Sequence, residues 1–366
     1  MFSYLTTIGT AVPRYRFEQS QICKFMQATL PLTETQHSRL PLLYRASGIQ
    51  YRHSVIPDYG RTKGAYTFYP NEEGLKPFPR VRQRMEVYER EAVKLASEAV
   101  MSCLSSRHME AAAVTHLVTV SCTGMYAPGL DIDLVKQLGL NSAVERTAIN
   151  FMGCYGAFNG IKVADSICRS NTGAKVLVVC VELCTLHFQQ KTDEDSLLSA
   201  ALFSDGAAAV LVEGLPQGSH SLKLKATYAD LFTDGEQDMA WRIGNHGFDM
   251  MLSAYVPDLV GEGITQLIDR LMTKAEVEWK DIRHFAIHPG GKRILEQIEK
   301  VMNLAKVQNQ SAYEVLQNYG NMSSATVLFV LENLLKQREN LNSGENILSL
   351  AFGPGLTLES MLLEVC

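Results

Sequence analysis

The chain has 366 residues with a formal net charge of −5; 46% of them are hydrophobic, 20% charged and 8% aromatic. This composition excludes the disordered and collagen-like classes, and the length suits two core-forming units or one large α/β domain. A net-negative chain lacks the global basic field that grips a nucleic-acid backbone or an anionic membrane, so an anionic ligand needs a local basic site.

No run reaches the ~18 apolar residues of a membrane-spanning helix. The opening MFSYLTTIGTAVPRYRF has no basic stretch followed by a long apolar one, so it does not read as a secretion signal. A cytoplasmic location without integral membrane association is therefore expected. Eight cysteines, at 23, 103, 122, 154, 168, 180, 184 and 366, are scattered without C-x-x-C pairs. They read as reduced, mostly core-filling thiols rather than a disulfide framework or a zinc site.

In chain order, SYLTTIGTAVP reads as a strand ending at a Gly/Pro turn, followed by short helical segments to about Arg45. Residues Pro57 to Arg80, rich in Pro, Gly and Tyr, read as a long surface excursion. In RMEVYEREAVKLASEAVMSCL, Met85, Tyr88, Ala92, Leu95, Ala99 and Cys103 recur three or four apart, which predicts a long helix with one apolar face. Buried strands are predicted at 115–122, 175–182, 207–213, 283–288 and 346–353, with helical patterns between several of them. The fold class is layered α/β, and QGSHS near 217–221 is the best candidate for a linker.

The two parts of the chain correspond. A helix precedes THLVTVSCTG and MGCYGAFNGIKVADSIC follows it; a helix precedes RHFAIHPGG and NYGNMSSATVLFVLENLL follows it. Cys154 lies 32 residues after Cys122, and Asn321 lies 33 residues after His288. A strand-like segment closes each unit. The pattern predicts a duplicated α/β unit in which Cys154 and Asn321 occupy equivalent helix starts and meet at the centre.

Cys154 sits among small residues that open an amphipathic helix, where unsatisfied N–H groups and the dipole favour thiolate. Taken alone it reads better as a small buried hydrophobe at a tight helix packing point. His288 ends an apolar strand before Pro289-Gly290-Gly291, at the rim of a sheet; there it either activates a thiol as a neutral base or pairs with a thiolate as a cation. Asn321 reads as a helix cap or as an amide donor to an oxyanion or enolate. No metal-ligand spacing, P-loop or dinucleotide fingerprint is present.

The set GCYGAFNG, AIHPGG, YGNMSSA and AFGPGLTLE, together with EVYEREA, ALFSDGAAAV and HGFDMMLSAYVP, resembles the type III polyketide synthases of the chalcone and stilbene synthase family, in order over nearly the whole chain. The resemblance implies a thiolase-like αβαβα layered fold with two pseudo-symmetric halves, 1–216 carrying the cysteine and 217–366 carrying the histidine and asparagine, and a homodimer. It implies a Cys154, His288 and Asn321 triad that takes an acyl-CoA starter on Cys154 and condenses it with malonyl-CoA. No metal or organic cofactor is implied. Phe203 and Phe248 match the family phenylalanines between the coenzyme A tunnel and the product cavity. Gly290, Gly291, Ser323, Phe352, Gly353, Pro354 and Gly355 match positions that line the tunnel or cavity.

Cys184 and His187 stand where plant members have threonines, which changes pocket volume and polarity. The plant basic residues that grip the coenzyme A phosphates are not clearly reproduced; Arg39, Arg45 and Arg52 are the nearby substitutes. ELCTLHFQ and HGFDMMLSAYVP look more like the microbial branch, which implies a medium- or long-chain acyl starter and an alkylpyrone or alkylresorcinol product. The alternatives are a single-condensation ketoacyl synthase of the fatty-acid-initiating type and a Cys–His acyl-thioester hydrolase.

Overall fold

The computed structural model describes residues 2–217, 221–337 and 341–366. The first half runs β1 (Ser3–Ala11), β2 (Tyr15–Glu18), α1 (Gln19–Thr29), α2 (Glu34–Ala46), β3 (Tyr51–Ser54), α3 (Val81–Ser105), β4 (His116–Ser121), α4 (Leu130–Leu138), β5 (Glu145–Asn150), α5 (Gly156–Ser170), β6 (Lys175–Leu183), α6 (Glu194–Leu202) and β7 (Asp205–Glu213). The second runs β8 (Leu222–Leu231), β9 (Met239–Gly244), β10 (Gly247–Leu252), α7 (Val256–Ala275), β11 (Ile282–Ile287), α8 (Lys292–Met302), α9 (Gln310–Tyr319), α10 (Thr326–Lys336), β12 (Asn346–Gly353) and β13 (Thr357–Val365). The linker read at 217–221 includes residues 218–220, which lie outside the described residues.

Nine strands pair in the order β11-β12-β13-β8-β1-β7-β6-β4-β5. The order is two-fold: β1, β7, β6 and β4 repeat in β8, β13, β12 and β11, with the same antiparallel, antiparallel, parallel sequence of pairings. The halves join through the short antiparallel pairing of Ser3–Leu5 with Leu222–Leu224. This is the duplication that the two spacings predict.

Each half packs an outer helix on one face of its strands and shares a middle layer on the other. On β6, Val176, Val178 and Cys180 face the core around α5 and α10, whereas Leu177, Val179 and Val181 face the core around α3. Both faces are covered, so the strand reads as a continuous apolar run rather than an alternation. The middle helix α10 is buried nearly all round, through Val327, Leu328, Phe329, Val330, Leu331 and Leu334. Burial stabilises each such side chain by about 1.5–3 kcal/mol. Helix α5 reaches the strands because Gly160 has no side chain; a Cβ there would lie 2.6 Å from Val178 Cγ1.

The predicted strands and the long helix are observed. The surface excursion at Pro57 to Arg80 is observed over much of its length, but it is anchored, with Tyr59, Tyr66, Tyr69 and Leu75 buried. The cause is Asp58, whose buried carboxylate accepts hydrogen bonds from the backbone N–H groups of Thr67, Phe68 and Tyr69, each 2.8 Å. That anchor turns the segment inward, and Tyr59 and Tyr69 pack edge-on against Phe25 and Phe188. A polar, exposed strand, β5, forms one end of the sheet and, among the described residues, pairs only with β4. Among the described residues no helix is long and apolar enough to cross a membrane.

Candidate active site

The ends of β4, β6, β11 and β12 and the starts of α5 and α10 converge on one cavity, lined by Cys154, His288 and Asn321. Cys154 lies in the 3-10 turn Gly153–Tyr155 that opens α5. Gly153 before it has φ +79°, and a Cβ there would meet Pro354 Cδ at 2.3 Å. Both facts require glycine at this tight approach. The Gly153 N–H points to Cys122 Sγ, 2.9 Å away.

His288 leaves β11 with its N–H bonded to Leu350 O (2.8 Å), and among the described residues neither ring nitrogen has a hydrogen-bond partner. Asn321 precedes α10; its Oδ1 accepts from Ser323 N (2.8 Å) and its Nδ2 donates to Gly290 O (3.1 Å), which leaves the second amide hydrogen free. The two helix starts meet: Cys154 Sγ lies 3.9 Å from Asn321 Oδ1 and 4.0 Å from Nδ2. Asn321 thus both caps its turn and presents a donor. Its backbone also bonds to Leu202 O and Ser204 N, on either side of Phe203, so the cavity wall and the asparagine are tied together.

Burial pushes the Cys154 thiol up to about 12 and the His288 imidazole down to about 3. The resting site therefore holds a neutral thiol and a neutral imidazole. The thiolate expected from the helix start is overridden, because desolvation of the charged form outweighs the dipole. In such a dry site, donors with no protein partner act strongly on any oxygen that acquires charge.

Glu182, at the end of β6, is wholly buried beneath this cavity. Its carboxylate accepts from Ser324 Oγ, Thr123 Oγ1 (2.8 Å) and Cys122 N (2.9 Å), joining the start of α10 to the end of β4. Burial raises its pKa, against the pull of these three donors. Glu182→Leu leaves the three donors unsatisfied, and a loss of about 3 kcal/mol of stability is expected; an unchanged unfolding midpoint in denaturant would contradict this.

Phe203, Phe248, Gly290, Ser323, Phe352, Pro354, Cys184 and His187 line the cavity. Gly291 lines an adjoining groove instead, which shares Gly290, Leu252 and Ile294 with the cavity. Gly353 and Gly355 do not line it: a Cβ at Gly353 would strike the Tyr155 ring at 2.6 Å, and Gly355, at φ +126°, makes the turn between β12 and β13. His187 presents no free polar atom to a substrate, because Nε2 donates to Thr123 O (2.7 Å) and Nδ1 accepts from Phe248 N (2.9 Å). It stays neutral, burial holding its pKa near about 3.

Of the basic substitutes, Arg52 lies in the wall of the cavity rather than the groove, buried and bonded to Gln19 Oε1 (2.8 Å), Ala200 O (2.7 Å) and Phe203 O (2.9 Å). Arg45 is exposed and outside the groove, whereas Arg39 lines it. The sequence reading missed Lys292 and Arg293, which line the same groove at the start of α8; basic residues directly after Pro-Gly-Gly at a helix N-terminus were the available signal. It also missed the apolar walls supplied by Ile22, Met26, Tyr59 and Met250. Among the described residues no cluster of metal-ligating side chains occurs.

The fold and the paired helix starts define a thiolase-like protein. Residues 3–216 match the model for the N-terminal domain of chalcone and stilbene synthases, and residues 223–366 match that for the C-terminal domain. The chain belongs to this family; it is an enzyme, a type III polyketide synthase. It is 29% identical over 363 residues to the α-pyrone synthesis polyketide synthase-like Pks18 of Mycobacterium tuberculosis, covering 98% of this chain and 90% of that protein. With type III polyketide synthase A of Arabidopsis thaliana the identity is 31% over 370 residues, 98% of this chain and 92% of the relative. Among solved structures, PKS-I from the brown alga Ectocarpus siliculosus superposes with a TM-score of 0.93 at 29% identity, covering all of this chain and 98% of that one.

Proposed function

We propose that this enzyme loads a medium- or long-chain acyl group from coenzyme A onto Cys154, extends it by repeated decarboxylative condensation with malonyl-CoA, and cyclises the product to a pyrone or resorcinol. The observation that carries the proposal is the meeting, in one buried cavity, of Cys154 with the Asn321 amide and with a His288 ring whose nitrogens have no hydrogen-bond partner among the described residues.

Neutral His288 takes the thiol proton as Cys154 Sγ attacks the starter thioester, and coenzyme A departs as the free thiol. Malonyl-CoA then enters with its thioester carbonyl between the His288 N–H and the Asn321 amide. Loss of carbon dioxide leaves the electron pair in an enolate whose oxygen these donors stabilise. The enolate carbon attacks the Cys154 acyl carbonyl, the carbon–sulfur bond breaks, and a β-ketoacyl-CoA forms for reloading. No step uses a metal or an organic cofactor. Arg39, Lys292 and Arg293 suit the coenzyme A phosphates at the groove. Ile22, Met26 and Tyr59 in the cavity wall suit an alkyl chain, and the name of Pks18 points to pyrone closure. The exposed edge of β5 is where a second copy would continue the sheet in a homodimer.

His288→Gln is expected to slow release of carbon dioxide from malonyl-CoA by about 100-fold or more, the scale of losing a preorganised donor; release at the wild-type rate would contradict the role. The overall reading is tested by incubating the enzyme with malonyl-CoA and starters of graded length and weighing the products. Masses exceeding the starter by repeated ketide units support it. Free acid alone would mean a hydrolase, and one extension alone a ketoacyl synthase.

A further inference from the structure

Strands β9 and β10 pair only with each other, so the ribbon they form has no place in the nine-stranded sheet. It nonetheless supplies the cavity with Trp241 and Phe248. At its turn Asn245 O accepts from Val81 N (3.1 Å), and side-chain contacts hold the rest; three of these come from one short segment. His187 Nδ1 accepts from Phe248 N (2.9 Å), Gln189 Nε2 donates to His246 O (3.0 Å), and Lys191 Nζ pairs with Asp249 (3.0 Å).

We infer that the segment from His187 to Lys191 clamps the ribbon onto the cavity, and that His187 is the positioning residue that fixes where Phe248 stands. This deepens, and for its effect on products rests on, the polyketide synthase reading. The three contacts differ in kind. The Lys191–Asp249 pair is half exposed and holds weakly. His187 is buried, stacks flat on the Phe248 ring at 4.2 Å and 11°, and meets the Trp241 ring edge-on at 5.4 Å. Its other nitrogen is anchored to Thr123 O (2.7 Å), and Thr123 Oγ1 in turn bonds Glu182. The Trp241 Nε1–H bonds the neighbouring Cys122 O (2.7 Å). The ribbon is thus registered against the same residues that hold the starts of α5 and α10. With both ring nitrogens engaged, His187 offers the growing chain no hydrogen bond; its ring fills part of the cavity wall and holds Phe248, whose place limits the room for further extension.

The test compares wild type with His187→Phe, His187→Asn and His187→Gln, reading amide hydrogen exchange across residues 239–252 and the product lengths made from one acyl-CoA starter with malonyl-CoA. Phe keeps a flat ring and removes both hydrogen bonds; Asn keeps an acceptor near the Nδ1 position; Gln keeps a donor near the Nε2 position. In His187→Phe, exchange at Phe248 should be about tenfold faster, and the ratio of long to short products should change by at least about threefold. His187→Asn should move both back toward wild type, and His187→Gln should not restore the Phe248 amide. Wild-type exchange in His187→Phe, or faster exchange with unchanged product lengths, overturns the inference. If wild type makes no ketide product from any starter, the activity reading falls, and exchange alone upholds or overturns the clamp.

Discussion

Cys154→Ala should leave the protein folded and reduce chain extension by at least about 1,000-fold, the scale of removing a covalent nucleophile. Its Sγ lies at the long distances of 3.9 and 4.0 Å from the Asn321 amide, and a buried cysteine otherwise behaves as a small hydrophobe. The stability change should therefore stay within about 1 kcal/mol. Release of carbon dioxide from malonyl-CoA should survive, because His288 and Asn321 are untouched. Separated in this way, loading and decarboxylation belong to different residues. Normal product yield from the folded variant would refute the nucleophile.

The second large effect is on stability in acid. His187 and His288 are both held neutral, with burial pushing each down to about 3 against an ordinary value of 6.5. In the unfolded chain they take up protons as pH falls through 6.5, while the folded protein does not until about 3. Each therefore costs the folded state stability from 6.5 downward, by about 2 kcal/mol at pH 5. Buried Asp205, pushed up to about 7, works in the opposite sense. It is common to wild type and variant, so the difference between them isolates the histidine. Relative to wild type, His288→Gln should gain about 2 kcal/mol between pH 7.5 and pH 5, and His288→Gln combined with His187→Asn about 4. Urea unfolding at the two pH values measures this. A difference that does not change with pH would mean that the imidazoles are charged in the fold.

The sheet of this protein was legible where both faces of a strand are covered, as at 175–182 and 346–353, because the apolar run is then continuous. The meeting of Cys154 and Asn321 was legible from two matching spacings, since a duplicated unit brings equivalent helix starts together. Strand β5 was not, for its exposed residues carry no burial pattern. The inward turn of Pro57–Arg80 hangs on one carboxylate, Asp58, gathering three backbone N–H groups, and no periodicity announces that. Protonation states were misjudged for a similar reason: the dipole at Cys154 is local in sequence, but the burial that overrides it is contributed by both halves of the chain. His187 was placed correctly in the cavity wall, yet its role depends on where its two nitrogens point, and only the folded arrangement shows that both are engaged.

The most direct measurement is the intact mass of the enzyme after brief incubation with a long-chain acyl-CoA alone, followed by peptide mapping and a chase with malonyl-CoA. The account expects one acyl group per chain, on the peptide containing Cys154, that disappears into ketide products on the chase. An acyl group carried elsewhere, or one at Cys154 that malonyl-CoA never removes, would contradict it.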